Sequence, residues 1–423
     1  MRKITDETKL ISERWPRVTG FDKKLIEYVK PIVADVASRG DDAIREYTEK
    51  FDKVKMKTFR VSLVELNEAY KKVSQREIEA LKESKRRLEV VETDRLALNN
   101  FIVELEGVKI CCTLRPIEEV GCYVPGGNAS YPSSVIMNVV PAKVAGVKRI
   151  VVCTPPNNDG SMDPMTLVAC DICQVDEIYK IGGIQGIAAL AYGTETIKKV
   201  DKITGPGNRY VTTAKTIVSE TVSIDKPAGP SEILILADDT ANPNYIAADI
   251  ISQAEHGLGG VSGLVTTSEQ LAGKVIQLIE ENTLDQKLNS IVSNVLSESG
   301  FFYIVKSINE AIEFLNLFGP EHLEIMTESP EIVVDKITNS GLILIGDFTP
   351  VSSTDYCMGV NHVLPTKGYS KVSSGLTILD YMKPVSIVEA SKTGLELVRD
   401  NIVTLAESEG LFNHKKAVEV RFN

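Results

Sequence analysis

The sequence predicts an α/β protein in which two successive sections each build a parallel sheet flanked by helices. Three strand and helix pairs follow one another between Arg149 and Ser219, and a second alternating section begins with the strand EILILAD at Glu232. Short β-branched strands that alternate with helices favour parallel pairing through right-handed crossovers. The 423 residues suffice for two to four domains, because domains commonly contain about 100–200 residues.

The first hundred residues are expected to be helical, because KKLIEYVKPIVADVASRG and LVELNEAYKKV place apolar residues at three- and four-residue spacing. Gly40 should end one helix, and Asp41 and Asp42 should begin the next. The predicted strands of the middle section are RIVVCTP, EIYKIGG and KVDKITGPG, and its helices are PMTLVACDIC, QGIAALAYG and NRYVTTAKTIVS. The predicted strands of the second section are EILILAD, SGLVTTS, FFYIVKS and GLILIGD.

Composition and charge narrow the class of partner. The formal net charge of -11 disfavours nucleic acid and anionic membrane surfaces, so a small molecule or another subunit is the expected partner. The seven cysteines are scattered, and Cys170 and Cys173 form a CxxC within a predicted helix, which favours buried structural thiols over a zinc site. No apolar leader or membrane span is recognisable, and the expected location is cytoplasmic.

Three Gly/Pro turns stand where phosphate-binding turns are expected. They are YVPGGN (123–128), IGGIQG (181–186) and TGPGN (204–208), each after a predicted strand. The last two lead into helices whose positive ends suit a phosphate. None is a GxGxxG fingerprint. Any one turn is explained equally well by a need for positive φ, but three together favour a nucleotide site.

The four histidines each stand near a second side chain useful in catalysis. The pairs are Gln253 and His256, Glu321 and His322, Asp355 and His362, and Glu409 and His414. On one helix, Gln253 and His256 would project from the same face. A single histidine is more often structural than a ligand, whereas nitrogen and oxygen ligands drawn from distant segments fit a catalytic divalent metal. The residues alone indicate a metal-dependent α/β enzyme with a possible link to nucleotides.

At these motifs the sequence resembles the histidinol dehydrogenase family. The matching stretches run in the family's order from about Gly121 to the C-terminus, with looser similarity before them. They are GCYVPGG, VAGVKRIVVCTPP, IGGIQGIAALAYGTETI, KVDKITGPGN, IDKPAGPSEILILAD, SQAEHG, FGPEHLEI, TDYCMGVNHVLPT and NHKKAVEVR.

The resemblance implies zinc-dependent, NAD-dependent oxidation of L-histidinol through L-histidinal to L-histidine, the last step of histidine biosynthesis. Two NAD⁺ would be used in succession at a site with one Zn²⁺ per subunit. Glu321 and His322 match the acid–base pair: His322 would take the alcohol proton, and Glu321 would activate the water that hydrates the aldehyde. The implied zinc ligands are Gln253, His256, Asp355 and His414.

The resemblance also implies further contacts and an assembly. Tyr123, Gln185 and Asn208 match positions near NAD. The implied substrate contacts are Ser231, Gln253, His256, His322, Asp355, His362, Glu409 and His414. A homodimer is implied, in which the tail with Glu409 and His414 completes the neighbouring subunit's site.

The fold implied by the resemblance has two related, incomplete Rossmann-like domains with small N- and C-terminal segments that are helical. The expected divisions are an arm (1–20), a larger α/β domain carrying most metal and acid–base residues (21–122 and 232–376), an NAD-binding domain (123–231) and a tail (377–423).

Three departures from the family pattern leave the exact substrate open. GLGGV follows His256, where a polar stretch is usual, Met358 replaces a small residue, and Lys226 replaces an apolar one. A paralogue that oxidises another small polar alcohol with the same zinc and NAD chemistry is therefore the alternative. An inactive homologue acting as a nucleotide-sensing or interaction protein is a third possibility, which the presence of every matched metal and acid–base residue disfavours. The preference for NAD or NADP also stays open.

Overall fold

The computed structural model describes residues 1–4, 23–97, 101–126, 130–226, 229–257, 259–283 and 289–422. The chain divides into two units, one of residues 1–92 and 117–381 and one of residues 93–116 and 382–423. Several predicted features lie partly outside the described residues: most of the N-terminal arm, the end of the YVPGGN turn, Pro227 and Ala228 of IDKPAGP, and Leu258 of GLGGV.

The described helices agree with the predicted helical start and with the predicted alternation. They are α1 (Lys23–Arg39), α2 (Asp41–Asp52), α3 (Leu63–Tyr70), α4 (Gln75–Ala97), α5 (Pro132–Ala145), α6 (Pro164–Ile172), α7 (Gly183–Tyr192), α8 (Arg209–Val218), α9 (Pro243–Ala254), α10 (Glu269–Asn282), α11 (Asn289–Ser299), α12 (Ile308–Phe318), α13 (Pro330–Val334), α14 (Val351–Tyr356), α15 (Lys392–Ser408) and α16 (Phe412–Glu419). Short 3₁₀ helices cover Tyr369–Lys371 and Ile378–Tyr381.

The described strands form three sheets. They are β1 (Arg2–Ile4), β2 (Phe101–Leu105), β3 (Val108–Pro116), β4 (Glu119–Tyr123), β5 (Arg149–Thr154), β6 (Glu177–Lys180), β7 (Lys202–Thr204), β8 (Ser223–Ile224), β9 (Glu232–Ala237), β10 (Val261–Thr266), β11 (Gly300–Ile304), β12 (His322–Met326), β13 (Leu342–Ile345) and β14 (Met382–Ala390).

The first sheet has five parallel strands in the order β6-β5-β4-β7-β8. The run RIVVCT of β5 is almost continuously apolar, as expected for a parallel strand covered on both faces. Helices α1 and α2, which the sequence assigned to the larger domain, share a buried core with β5 and α7. Val29 and Ile44 belong to this core and are fully buried.

The second sheet has six parallel strands in the order β1-β11-β10-β9-β12-β13. Strand β9 shows how it is covered, because successive side chains point to opposite faces. Ile233 and Ile235 join the core of α9, α10 and α11, whereas Leu234 and Leu236 join the core of α12 and α13. Both faces of the sheet are therefore buried beneath helices.

The second unit contains a sheet that the sequence analysis did not predict. Strand β3 pairs antiparallel with β2 on one side and with β14 on the other. Helices α15 and α16 complete the unit. All five residues of β2 are exposed, although Phe101, Ile102 and Val103 are apolar. The predicted tail is thus partly a β-strand.

The predicted fold class is confirmed: both predicted α/β sections are present, each with its own parallel sheet. The predicted domain boundaries stay a prediction. Among the described helices, none has the length and apolar character that crossing a membrane requires.

Candidate active site

The predicted acid–base pair lies where β12 begins, beside the beginning of β9. The two strands are parallel neighbours, with His322 opposite Ile233. This register brings Ser231 and Glu232 next to Glu321. The Ser231 hydroxyl and the Glu232 backbone N–H each donate a hydrogen bond of 2.7 Å to Oε2 of Glu321. Strand pairing therefore assembles this group from two segments 90 residues apart.

Burial shifts the pKa values of Glu321 and His322 in opposite directions. Burial raises the pKa of Glu321 well above its ordinary value, and the charges of Glu232 and Asp355 raise it further. Burial lowers the pKa of His322 to about 4. At neutral pH the imidazole is therefore uncharged and able to accept a proton.

The hydrogen bonding of His322 identifies the nitrogen that can accept this proton. Nδ1 lies 3.0 Å from the carbonyl oxygen of Glu232. Since a carbonyl oxygen only accepts, Nδ1 carries the hydrogen, which leaves Nε2 with its lone pair. Nε2 is buried and has no hydrogen-bond partner among the described residues. A buried acceptor without a partner is costly, so this atom is expected to meet a ligand.

Gln253 is the second buried side chain with unsatisfied polar atoms. It lies in the last turn of α9 and is 3% exposed. Neither its side-chain oxygen nor its nitrogen has a hydrogen-bond partner within the described chain. The amide oxygen is therefore available to a metal or ligand, as expected for a residue in the predicted zinc set.

His256 lies just beyond the helix that carries Gln253. Helix α9 ends at Ala254, and His256 lies in the following turn, where its N–H donates 3.2 Å to the carbonyl oxygen of Gln253. The next residue, Gly257, has a φ of 97°. Residues three apart in such a turn lie on one side, so Gln253 and His256 stay neighbours, and the left-handed Gly257 then carries the chain away from the helix.

Asp355 stands close enough to His256 for the two to interact electrostatically. Burial raises the pKa of Asp355 to about 6, and the charge of His256 lowers it. His256 also contributes to the low pKa of His322. The described residues contain no group of three His, Cys, Asp or Glu side chains that could hold a metal by itself. In the first unit the candidate zinc ligands are thus His256, Asp355 and the side-chain amide of Gln253.

His362 is held at both ring nitrogens. Nδ1 lies 2.8 Å from the carbonyl oxygen of Asp355, and Nε2 lies 3.3 Å from Oγ of Ser134 on α5. The neighbouring Asn361 donates 2.6 Å to the carbonyl oxygen of Met137 on the same helix. The segment around His362 is irregular, and its contacts with helix α5 fix its position.

The other predicted site residues of the tail lie in the second unit. Glu409 follows the last residue of α15, and His414 lies in α16. Both side chains are exposed.

All three residues predicted near NAD line one cavity of about 880 Å³. They are Tyr123, Gln185 and Asn208. The cavity opens at the carboxyl ends of the five-stranded sheet, next to the starts of α7 and α8, which is where open parallel sheets bind nucleotides. The glycine-rich turns border this cavity, and the nucleotide site predicted from them stays a prediction.

The turns are fixed by hydrogen bonds of their own. The Gly183 N–H donates 3.0 Å to the hydroxyl of Tyr123. Asn208 caps α8, accepting from the backbone N–H groups of Tyr210 and Val211 at 3.0 and 3.1 Å. Several of the helix-start donors expected for a phosphate are therefore already used. Gln185 keeps a buried side-chain oxygen without a partner in the described protein.

Sequence reasoning missed Asp52, which lines the same cavity at the end of α2. Its carboxylate accepts a hydrogen bond of 3.3 Å from Nε2 of Gln185. Burial raises the pKa of Asp52 to about 6. Its local sequence, EKFDK, is that of an ordinary surface helix, so no local signal distinguishes it.

Comparison with known proteins identifies the family. The family model described as histidinol dehydrogenase matches residues 16–422. The chain belongs to the histidinol dehydrogenase family. The histidinol dehydrogenase of Clostridium acetobutylicum is 47% identical over 94% of this chain and 93% of its own length. That of Methanocaldococcus jannaschii is 42% identical over 100% of this chain and 98% of its own.

A solved structure extends the likeness to the fold. The crystal structure of histidinol dehydrogenase from Elizabethkingia anophelis superposes with a TM-score of 0.95 at 39% identity, covering 100% of this chain and 98% of that one. The predicted family and its enzymatic character are confirmed, so the chain is an enzyme of the histidinol dehydrogenase family.

Proposed function

We propose that this chain oxidises L-histidinol through L-histidinal to L-histidine, the last step of histidine biosynthesis, with Zn²⁺ and two successive NAD⁺. One observation carries the proposal: the buried Glu321–His322 pair lies in a site where His322 Nε2 and the Gln253 amide lack protein partners. Such unsatisfied atoms fit a site that is completed by a metal and a polar substrate.

His322 is proposed as the general base. Its Nδ1 hydrogen is held by the Glu232 carbonyl oxygen, which orients the ring and leaves Nε2 to accept the proton of the substrate alcohol. The low pKa keeps the imidazole in its accepting form throughout the neutral range. NAD⁺ supplies the hydride acceptor for each oxidation.

Glu321 is proposed to activate the water that hydrates the aldehyde. Ser231 and the Glu232 N–H orient its carboxyl group, and both hydrogen bonds favour the ionised form. The nearby charge of Asp355 opposes ionisation. Neutralising that charge would favour the carboxylate that the second oxidation requires.

Gln253, His256, Asp355 and His414 are the proposed zinc ligands. The donor set fits zinc, because imidazole nitrogen and carboxylate oxygen are its usual partners and the Gln253 amide oxygen is buried and free of other bonds. Zinc would anchor the amino and imidazole nitrogens of the substrate. Asp355 and His256 already interact electrostatically.

The cavity lined by Tyr123, Gln185 and Asn208 is the proposed NAD site. Its volume of about 880 Å³ is within the usual range for ligand pockets. Tyr123 is 4% exposed and bonded to Gly183, so its ring is fixed in place. Gln185 offers its unsatisfied side-chain oxygen.

A homodimer is proposed, in which the second unit supplies Glu409 and His414 to the neighbouring subunit's site. The second unit exposes many apolar side chains, with Ile102 61% and Phe412 68% exposed. A large exposed apolar surface commonly marks a protein interface. The proposed substrate contacts in the first unit are Ser231, Gln253, His256, His322, Asp355 and His362. The free state of all seven cysteines, each a described residue, fits a cytoplasmic setting.

The reaction is tested by following NADH at 340 nm with L-histidinol and the zinc-loaded protein, together with the amount of histidine formed. We expect two NADH per histidine and loss of turnover after chelation. A folded, zinc-loaded dimer that does not turn over histidinol would favour the paralogue, for which the GLGGV loop after His256 is the supporting feature. A panel of other small polar alcohols would then identify its substrate.

The shared site is tested by mixing two inactive variants, Glu321→Gln and His414→Ala. If the tail crosses between subunits, heterodimers contain one intact site and regain part of the activity. Absence of recovery despite demonstrated subunit exchange would contradict the shared site while leaving the reaction itself untouched.

A further inference from the structure

Two buried carboxyl groups lie beside the proposed zinc site, and no step of the proposed reaction uses them. Asp249 of α9 is 8% exposed and Glu324 of β12 is 1% exposed. The two carboxyl groups are within hydrogen-bonding reach of each other, and Oε2 of Glu324 has no other partner among the described residues. Burying two acids costs free energy that apolar side chains in the same space would not. The pair therefore needs a reason beyond packing.

Glu324 holds the beginning of α14. Its Oε1 accepts a hydrogen bond of 2.8 Å from the backbone N–H of Val351, the first residue of that helix. Pro350 precedes the helix and provides no side-chain cap. The carboxyl group of Glu324 thus takes the place of a cap from a different element. Asp355 lies four residues further along the same helix, about one turn away.

Asp249 links the same carboxyl group to α9. It lies four residues before Gln253, so the two side chains project from one face of that helix. Glu324 itself lies two residues after His322, on the same face of the sheet. One pair of acids thus connects the three elements that carry Gln253, Asp355 and His322.

We propose that the Asp249–Glu324 pair is a positioning pair, which fixes Gln253 and Asp355 relative to each other and to His322. The inference rests on the proposed zinc site. Side chains that do not bind the metal but hold its ligands in position typically contribute 10- to 100-fold to metal affinity. Burial raises the pKa of both carboxyl groups, and Asp249 raises that of Glu324 further, so at neutral pH Glu324 retains a proton to share with Asp249.

The test is the zinc affinity of the full chain, measured by competition with a chromophoric chelator. Glu324→Leu removes both hydrogen bonds and should weaken zinc binding by about 10- to 100-fold. Glu324→Gln keeps an acceptor for Val351 and a donor for Asp249, so it should bind zinc with nearly the wild-type affinity. NAD⁺ affinity should be unchanged in both variants, because the nucleotide cavity contains neither acid.

Glu92→Leu is the matched control. Glu92 is 2% exposed and accepts 2.6 Å from the N–H of Ile378, which begins a 3₁₀ helix without a candidate zinc ligand. It should lower stability yet leave zinc affinity unchanged. Equal zinc affinities for wild type, Glu324→Leu and Glu92→Leu would overturn the positioning role. A wild-type protein that binds no zinc would instead overturn the proposed function.

If Glu324→Leu does not fold, Val351→Pro supplies the same test. Proline is tolerated at the first position of a helix and removes the donated N–H, while its ring replaces the buried Val351 side chain in the core. Weaker zinc binding by this variant supports the positioning role, and unchanged binding contradicts it.

Discussion

The two parallel sheets carry their candidate sites at opposite ends of their strands. In the five-stranded sheet, Tyr123, Pro155 and Gly183 line the cavity at or just beyond the carboxyl ends. In the six-stranded sheet, Ser231 and Glu321 stand at the amino ends of β9 and β12. Only the first arrangement follows the rule that ligands bind at the carboxyl ends of parallel strands.

The difference shows that two kinds of site are built in two ways. The nucleotide cavity depends on turns and helix starts, that is, on backbone placed by glycine, proline and a capping Asn208. The acid–base cluster depends on side chains whose pKa values burial has shifted. A substitution in the nucleotide cavity should impair nucleotide binding, whereas one in the acid–base cluster should lower the catalytic rate or the metal affinity.

The largest expected effect is that of His322→Asn. Loss of the general base should lower kcat by about 10²- to 10⁴-fold. Since His322 does not line the nucleotide cavity, NAD⁺ affinity should stay the same. Stopped-flow kinetics measures the first quantity and calorimetric titration the second. A parallel loss of NAD⁺ affinity would mean that the two sites are not separable.

A decrease in pH should release zinc from its proposed ligands. Burial raises the pKa of Asp355 to about 6, and a proton competes with zinc for the carboxylate. Zinc affinity should therefore fall about tenfold for each pH unit below about 6 from this group alone. Zinc content after dialysis between pH 7.5 and pH 5 measures it. An affinity independent of pH over this range would exclude Asp355 as a ligand.

Gly205→Ala should damage the nucleotide cavity and spare the zinc site. Gly205 has a φ of 111°, and an added Cβ would lie 2.0 Å from the carbonyl oxygen of Tyr123. The turn cannot relax easily, because Asp225 accepts from the Gly205 N–H and Lys215 donates to its carbonyl oxygen, both at 2.8 Å. Displacement of the turn should weaken NAD⁺ binding by about tenfold or more.

Gly146→Ala is the control for backbone strain alone. Gly146 has a φ of 84°, and an added Cβ there meets nothing within 4 Å. Both variants should lose about 1–2 kcal/mol of stability from the left-handed backbone, but only Gly205→Ala should lose NAD⁺ affinity. Similar NAD⁺ affinities in the two variants would argue against a nucleotide at this turn.

The smallest expected effect is that of Asp52→Asn on stability. Burial raises the folded-state pKa of Asp52 from 3.8 to about 6, so the folded protein binds the extra proton between these values. The wild type therefore loses stability as pH rises from about 4 to about 6, whereas the Asp52→Asn variant does not, because its side chain does not titrate. Above pH 6 the variant should be more stable by about 1 kcal/mol, a value reduced for partial solvent screening. Urea unfolding at pH 4 and pH 8 compares them, and the advantage should nearly vanish at pH 4.

Much of the α/β architecture could be predicted because its strands are local patterns. EILILAD and RIVVCTP are apolar runs of strand length, and both are buried strands in the structure. Strand β3, VKICCTLRP, is only half-buried and lacks such a run. Its pairing with β14 joins segments more than 250 residues apart, so no local pattern indicated it.

From the residues alone, the candidate site was predictable only where residue type carries information, whereas the roles of Gln253, Asp355 and Ser231 came from the family resemblance. His322 and Glu321 are rare or reactive side chains in an unusual turn, and the structure brings them together with Ser231. Asp249 and Glu324 look like ordinary helix and strand acids until the strands pair. Their burial follows from tertiary packing, which a single sequence does not display.

The pairing of strand β1 determines when the six-stranded sheet can be completed during synthesis. It pairs in parallel with β11, with Arg2 opposite Phe301. At a synthesis rate of about 5–20 residues per second, β1 leaves the ribosome roughly 15–60 s before its partner exists. Closing so long a loop is also entropically costly. Until β1 docks, the outer edge of β11 offers unpaired backbone groups to any other nascent chain.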